Sequence, residues 1–400
     1  MTPSNKTGRT GKLNITAVFR AFFQSQQASG ILLVAVTAAS LFISNSIWGN
    51  DYRAFWDIHF GTEAYHLHLN HSITDWINDA LMSIFFLLVG IEIKRELLDG
   101  ELSDRKRAML PLFGALGGML VPALLFFIFN MSSPETLSGV GIPTATDIAF
   151  AIAILGLLGN RIPASLKVFL TALAIIDDLG AILIIAIFYG QGIHWAWLGA
   201  SALVVVIMYI VDKLDWDYSW LYITLGIILW FTMMHSGIHA TLSGVILALM
   251  LPRQSQKEKK MSNQLEHALS GYVSFIILPL FAAANTAIKI DINMMNHIVN
   301  PLSMGIFFGL FLGKPIGIVS FSWIADKFGI AKISQSITFT KLLGAGLLGG
   351  IGFTMSIFVA NLAFNDRELI DMAKLSIIIA SITAAITGYL LLSKSKSSGI

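Results

Sequence analysis

Ala174-Ile175-Ile176-Asp177-Asp178-Leu179-Gly180 lies midway along an apolar run from Phe169 to Tyr189. About 20 apolar residues are what an α-helix needs to cross ~30 Å of hydrocarbon. A carboxylate inside such a run costs several kcal/mol, so it marks a function by default. Successive residues on a helix point ~100° apart. Only one of Asp177 and Asp178 can therefore face a given cavity, while the other turns toward a neighbouring helix. Two close carboxylates cannot both ionise cheaply in low dielectric, so such a pair can exchange protons for a cation. A purely structural pair held by basic partners is the competing reading, and few bases lie nearby in sequence to hold it.

The rest of the chain has the same solvent. Of 400 residues, 55% are hydrophobic and 12% charged, against roughly a quarter charged in soluble domains; mean hydropathy is +0.73. The 34 glycines against 10 prolines suit closely packed transmembrane helices. The absence of cysteine excludes disulfides, thiol catalysis and cysteine metal sites, and a net charge of +2 argues against nucleic acid as a partner.

Apolar stretches between polar breaks place spans near 27–45, 74–98, 109–130, 140–158, 165–189, 195–212, 219–233, 238–251, 268–285, 302–324, 341–363 and 372–392. The reading is an all-α polytopic membrane protein of about 12 transmembrane helices. With the N-terminus inside, 21 of the 26 basic residues fall in cytoplasmic segments and four, Arg53, Lys289, Arg367 and Lys374, in outer ones. Only Lys314 is left over. That asymmetry obeys the positive-inside rule and puts both termini in the cytoplasm; merging the two short spans, 219–233 and 238–251, would invert everything downstream and spoil it. The basic stretch before Ile31 is too long for a cleaved signal peptide and leads into further spans. The outer segment Ser46 to Asp75 carries His59, His66, His68 and His71. Without helically spaced ligands these read as a solvated loop rather than a zinc site, or as a short hairpin serving subunit contact. The expected organisation is a tail (1–26), one membrane unit (27–392) and a second tail (393–400).

Two further charges sit where charge is expensive. Asp147 ends Gly139-Val140-Gly141-Ile142-Pro143-Thr144-Ala145-Thr146-Asp147, where Pro143 cannot continue a helical ladder and the glycines loosen the backbone. This fourth span is expected to break near the midplane, offering carbonyls and the hydroxyls of Thr144 and Thr146 as hard oxygen ligands. Asp147 also reads as a cap on the following half-helix, whose N-terminus is electropositive; the two roles are compatible. Lys314, in Gly313-Lys314-Pro315-Ile316-Gly317, has about ten apolar residues on each side. That is too deep for snorkelling, so it needs a buried anion or helix C-termini. The eleventh span holds Gly344-Ala345-Gly346-Leu347-Leu348-Gly349-Gly350-Ile351-Gly352-Phe353-Thr354, either a second unwound segment or a close-packing surface. If helices 3–5 and 10–12 are inverted repeats, each broken helix (4 and 11) is the middle of its triplet, the pattern of a secondary transporter's central site.

Three of these segments, Gly141 to Asp147, Ala174 to Gly180 and Gly313 to Gly317, together resemble the NhaA-type bacterial sodium/proton antiporters. Val89-Gly90-Ile91-Glu92-Ile93-Lys94-Arg95-Glu96-Leu97 and Met234-His235-Ser236-Gly237-Ile238-His239-Ala240-Thr241-Leu242 do so as well. The likeness runs from about Ser25 to Leu392 with the motifs in order; that family is itself one of the cases on which the inverted-repeat rule rests. The resemblance implies electrogenic export of cytoplasmic sodium or lithium against external protons in a bacterial inner membrane, by a homodimer without a cofactor and not by an enzyme. It implies that Asp177 and Asp178 bind the transported Na+ or Li+ and exchange it for H+, that Lys314 partners Asp177, that Asp147 offsets facing helix N-termini and that Thr146 lines the site. Movement of a core bundle (about 109–189 and 302–392) against an interface part (about 27–98 and 195–285) would alternate access. Regulation by pH is implied for Glu92, Arg95, Glu96, Glu266, His267 and His239; without the likeness these read as an interfacial cluster, and His239 as a helix-capping or buried hydrogen-bonded histidine. Asp79 is matched in the family too and takes no assigned role. The N-terminal extension through Gln24 and Met234 before His235 are modest departures, away from the site.

An intramembrane aspartyl protease would need Tyr-Asp and Gly-X-Gly-Asp on different helices, and neither surrounds these aspartates. A passive cation channel is disfavoured by a buried lysine. A proton- or cation-coupled carrier of a small organic solute is the alternative that residue types alone leave open.

Overall fold

The run that carries Asp177 and Asp178 forms one continuous helix, Ala164–Phe188 (α5), in a computed structural model that describes residues 26–61, 69–190, 192–214, 216, 218–252, 256–291, 294 and 297–395. Around it stand Gln26–Ser44 (α1), Ile73–Leu98 (α2), Arg105–Asn130 (α3), Trp195–Lys213 (α6), Ser219–Met234 (α7), Leu242–Met250 (α8), Gln264–Asn285 (α9), Pro301–Lys327 (α10) and Arg367–Lys394 (α12). Two elements are interrupted. The fourth consists of Leu137–Thr144 (α4a, a 3-10 helix) and Ile148–Leu157 (α4b); the eleventh consists of Phe339–Gly349 (α11a) and Phe353–Ala363 (α11b), bent by 44°. Among the described residues nine of these elements are long and apolar enough to cross a membrane and the bent eleventh makes ten; with the shorter α7 and α8 they match the expected twelve spans of a multi-pass membrane protein, with α3–α5 and α10–α12 as inverted triplets around their broken middles. Residues 1–25 and 396–400 of the expected tails lie outside the described residues, as do His66 and His68.

Local sequence explains the irregularities. Pro111 and Pro122 stand inside α3 without ending it. In α10, Pro315 withdraws a backbone donor, and the turn before it, Gly309–Gly313, widens to a π-helix that absorbs the loss. The same device, Val273–Ile277, precedes Pro279 in α9. Helix α8 has only 9 residues, about half a membrane crossing at 1.5 Å per residue. Its span is completed by the irregular segment 235–241, in which Ser236 Oγ donates to Met233 O at 2.8 Å and Ser236 O accepts from His194 N at 2.9 Å. Non-helical backbone at membrane depth survives only when buried in this way. The expected span of 238–251 is thus a helix of 242–250 plus that turn.

Glycine sets the closest approach in the bundle. A methyl group at Gly117 of α3 would overlap the carbonyl of Gly317 in α10, and one at Gly317 would overlap the carbonyl of Gly117. The first helices of the two triplets therefore touch backbone to backbone, which seats Lys314 beside the fourth and fifth elements. At one end of the bundle the α1–α2 connection forms a short surface helix, Gly49–Trp56, and a two-stranded antiparallel hairpin, His59–Phe60 (β1) with His71–Ser72 (β2), in which Phe60 pairs with His71. Two basic residues expected in connecting segments are instead buried in helices: Lys341 in α11a and Lys374 in α12. The apolar lengths that delimit spans do not register a lysine within about two turns of a helix end.

Candidate functional site

The two interruptions cross. Asp147 N donates to Ile351 O at 2.7 Å, and the Thr146 hydroxyl lies 2.8 Å from Gly349 O. Four helix ends meet at this point: the C-terminal ends of α4a and α11a, and the N-terminal ends of α4b and α11b. Each leaves unpaired backbone groups and a partial charge, positive at the N-termini and negative at the C-termini. One carboxylate serves both N-termini. Asp147 Oδ1 accepts from Phe150 N at 3.0 Å in α4b, and Oδ2 accepts from Thr354 N at 3.1 Å and from the Thr354 hydroxyl in α11b. The capping reading of Asp147 is therefore met twice over, once on each broken helix.

The C-terminal ends are served by donors. Lys314 Nζ donates to Thr144 O at 2.5 Å, and the Ser356 hydroxyl to Ile142 O at 2.7 Å. The ammonium also lies 2.5 Å from Asp177 Oδ2, and both side chains are wholly buried. The Thr146 hydroxyl is 2.7 Å from the same carboxylate oxygen. The Thr144 hydroxyl, expected as an open ligand, instead donates to Gly141 O at 2.8 Å and closes the 3-10 turn. A 3-10 helix tightened by Pro143 brings residue 144 over residue 141, which a sequence pattern does not register.

Asp178 faces elsewhere, as adjacency on a helix requires. With Asp147 and Thr354 it lines a cavity of about 140 Å³ that passes Glu92 and reaches Ser29 and Ser270, away from the hairpin end. Asp177 Oδ1 and Asp178 Oδ1 are buried without a hydrogen-bond partner among the described residues. Buried acceptors nearly always have one, so these two oxygens are the ones free to take a proton or a hard cation. Oxygen donors of this kind suit an alkali cation rather than a soft metal.

The remaining candidates divide between the two ends. Arg95 is paired with Glu266 of α9 and lies 3.2 Å from Glu96, whose other oxygen accepts from Glu101 N at 3.0 Å. His267 is exposed beside Glu266, and Glu92 stands on the cavity wall. His239 is at the opposite end, in the turn before α8, with its ring Nε2 2.8 Å from Tyr189 O; it does not join the others. Sequence reasoning missed Thr354 as a binding partner of Asp147, because it appeared only as the end of a glycine-rich stretch. It also missed a polar cluster near the hairpin, Asn78, Asn285, Asn361 and Lys374. Its members lie on four helices, and nothing local unites them.

A polytopic helical fold with two broken helices crossing at a buried carboxylate–lysine centre, in inverted repeats, defines the class of secondary transporters. The chain belongs to the Na+/H+ antiporter 1 family, whose model matches residues 20–392. It is similar to the Na(+)/H(+) antiporter NhaA of Flavobacterium psychrophilum, 48% identical over 377 residues that cover 94% of this chain and 96% of that protein. The NhaA of Cytophaga hutchinsonii is 46% identical over 378 residues, covering 94% and 95%; that of Yersinia pseudotuberculosis is 44% identical over 380 residues, covering 94% and 96%. Among solved structures, the sodium proton antiporter MjNhaP1 from Methanocaldococcus jannaschii at pH 8 superimposes with a TM-score of 0.53 at 14% identity, over 96% of this chain and 100% of that one. At that identity the likeness is one of fold.

Proposed function

We propose that this chain is a secondary active, electrogenic Na+(Li+)/H+ antiporter that exports cytoplasmic sodium against external protons. The observation that carries the reading is the division of labour between neighbouring carboxylates: Asp177 is held by Lys314, while Asp178 stands on the cavity. A cation entering the cavity meets Asp178 first. It binds only to the carboxylate, so occupancy of Asp178 by a cation and by a proton are mutually exclusive, and the arrival of one requires the departure of the other. Asp177 Oδ1 supplies a second oxygen, and a cation there competes with the ammonium of Lys314 for the same carboxylate. Asp147 and Thr146 hold the crossing in register by offsetting helix ends.

Basic-residue asymmetry supports cytoplasmic termini and an external hairpin end. The cavity then faces the cytoplasm, and the state is inward-open. Opening to the outside requires the core bundle, 109–189 and 302–392, to move against 27–98 and 195–285, the latter carrying the dimer contact in a bacterial inner membrane. Glu92, Arg95, Glu96, Glu266 and His267 at the cytoplasmic mouth, with His239 outside, are the residues through which pH would set activity. A cavity of about 140 Å³ is smaller than the ~300–1,000 Å³ of typical organic-ligand pockets, which favours an ion over an organic solute.

The test is a pre-formed proton gradient in everted or reconstituted vesicles. Sodium or lithium should collapse it, and Asp178→Asn should abolish the response. Collapse by an organic solute and never by sodium would overturn the reading.

A further inference from the structure

Asn285, the last residue of α9, is 1% exposed, and its side-chain amide is filled on every side. Its Nδ2 donates to Asn78 Oδ1 of α2 at 2.8 Å and to Phe281 O at 3.0 Å. Its Oδ1 accepts from Asn361 Nδ2 of α11b at 2.7 Å and from Lys374 Nζ of α12 at 3.3 Å. Two donors and two acceptor sites are all that an amide side chain has. The four helices fall two and two across the division proposed above: α2 and α9 in the static part, α11b and α12 in the moving bundle.

Asn78, Asn285, Asn361 and Lys374 also form the floor of a polar recess of about 360 Å³ at the hairpin end. The charged residues around that recess, Arg53, Asp57, Asp75, Arg367 and Asp371, are two cations and three anions, and Lys374 brings them into balance. Asp57 is paired with Arg367, and Asp75 caps its own helix through Ser72. On the other side of the crossing lies the cavity lined by Asp178. The amide cluster therefore stands between an outer recess and an inner one.

A mechanical link joins it to the crossing. Asn361 is seven residues after Thr354 on the same half-helix, about 10 Å at 1.5 Å per residue. One end of α11b is bound to Asp147 and the other to Asn285. Displacement of α11b disturbs both together. Interhelical amide hydrogen bonds in membrane proteins are individually weak, which suits contacts that must form and release in each cycle.

We propose that Asn285, with Asn78, Asn361 and Lys374, is the external latch of the transporter: it holds the outer route closed in the inward-open state and must part for the cation to leave. The proposal rests on the exchanger reading and adds to it the groups that close its outer face. These are positioning residues, acting on access to Asp178 and not on the ion itself.

The chain contains no cysteine, so an engineered pair is unambiguous. In reconstituted full-length Asn285→Cys/Asn361→Cys, oxidation should reduce sodium-dependent proton exchange at least twentyfold, and a reductant should restore it. Sodium binding from the cytoplasmic face should stay within twofold, and each single cysteine variant should transport under both conditions. Full exchange by protein shown to be cross-linked would overturn the proposal. A second measurement needs neither disulfide nor sodium. Met355 lines the inner cavity and is buried; in whole cells, labelling of Met355→Cys by an external membrane-impermeant maleimide should rise at least tenfold when Asn285→Ala or Lys374→Met is added. It should fall back with Lys374→Gln, which keeps an amide donor. Labelling unchanged by both substitutions would overturn the latch. Absence of sodium-dependent exchange in the unmodified protein would instead count against the exchanger reading, and the labelling result would stand apart from it.

Discussion

Lys314 Nζ lies 2.5 Å from Asp177 Oδ2, with both side chains wholly buried; Asp178, the next residue, lines a cavity instead. Neighbouring carboxylates are thereby given unequal tasks. One is tied to a cation that the protein itself supplies, and the other is open to a cation from solution.

Breaking that pair from one side leaves an uncompensated charge in low dielectric, which costs about 3–5 kcal/mol in buried pairs. Lys314→Met should therefore lower the unfolding temperature in detergent markedly. Adding Asp177→Asn should recover most of the loss. A single variant that melts with the parent would show that the pair contributes nothing.

Asp178→Asn should behave in the opposite way. Its carboxylate has no cationic partner within 4 Å among the described residues and is fully buried, so neutralising it removes a desolvation cost without breaking a contact. Thermal stability should be equal to or above the parent's while sodium-dependent gradient collapse disappears. Loss of both would make Asp178 a structural residue.

Asp147 should show graded effects. Asparagine keeps an acceptor for one helix end, whereas alanine leaves both α4b and α11b uncapped; lost N-caps cost ~0.5–2 kcal/mol each. Stability should fall in the order parent, Asp147→Asn, Asp147→Ala, as read by thermal unfolding. Thr354→Val should fall between parent and Asp147→Ala. Equal stability for alanine and asparagine would argue against the shared cap.

Gly317→Ala should separate α3 from α10, because its methyl meets the Gly117 carbonyl, an overpacking worth about 1–3 kcal/mol. Gly199→Ala in α6 is the control. A methyl there meets nothing within 4 Å, and helix propensity favours alanine over glycine by up to ~1 kcal/mol. Thermal shifts of opposite sign are expected for the two variants.

Much of this was legible because hydropathy is a local property. Twelve apolar stretches, an odd lysine at 314, a proline after two glycines at 143 and adjacent aspartates at 177 and 178 can all be read along the chain. Each reflects a cost that one segment bears in hydrocarbon, whatever surrounds it. The breaks in the fourth and eleventh spans were visible for the same reason. The 3-10 form of α4a and the π turns before Pro279 and Pro315 were not, since several backbones satisfy the same local pattern and packing chooses among them.

By itself, then, the sequence determined that the chain lives in a membrane, how often it crosses, and which four ionisable groups lie where charge is expensive. Only the tertiary structure decided that Asp147 would cap two helices through Thr354, that Thr144 would turn its hydroxyl back on its own turn, and that Asn285 would gather Asn78, Asn361 and Lys374. Those partners are separated by up to 207 residues. A buried polar group must find its partner wherever the fold brings one, and distance along the chain carries no information about that choice.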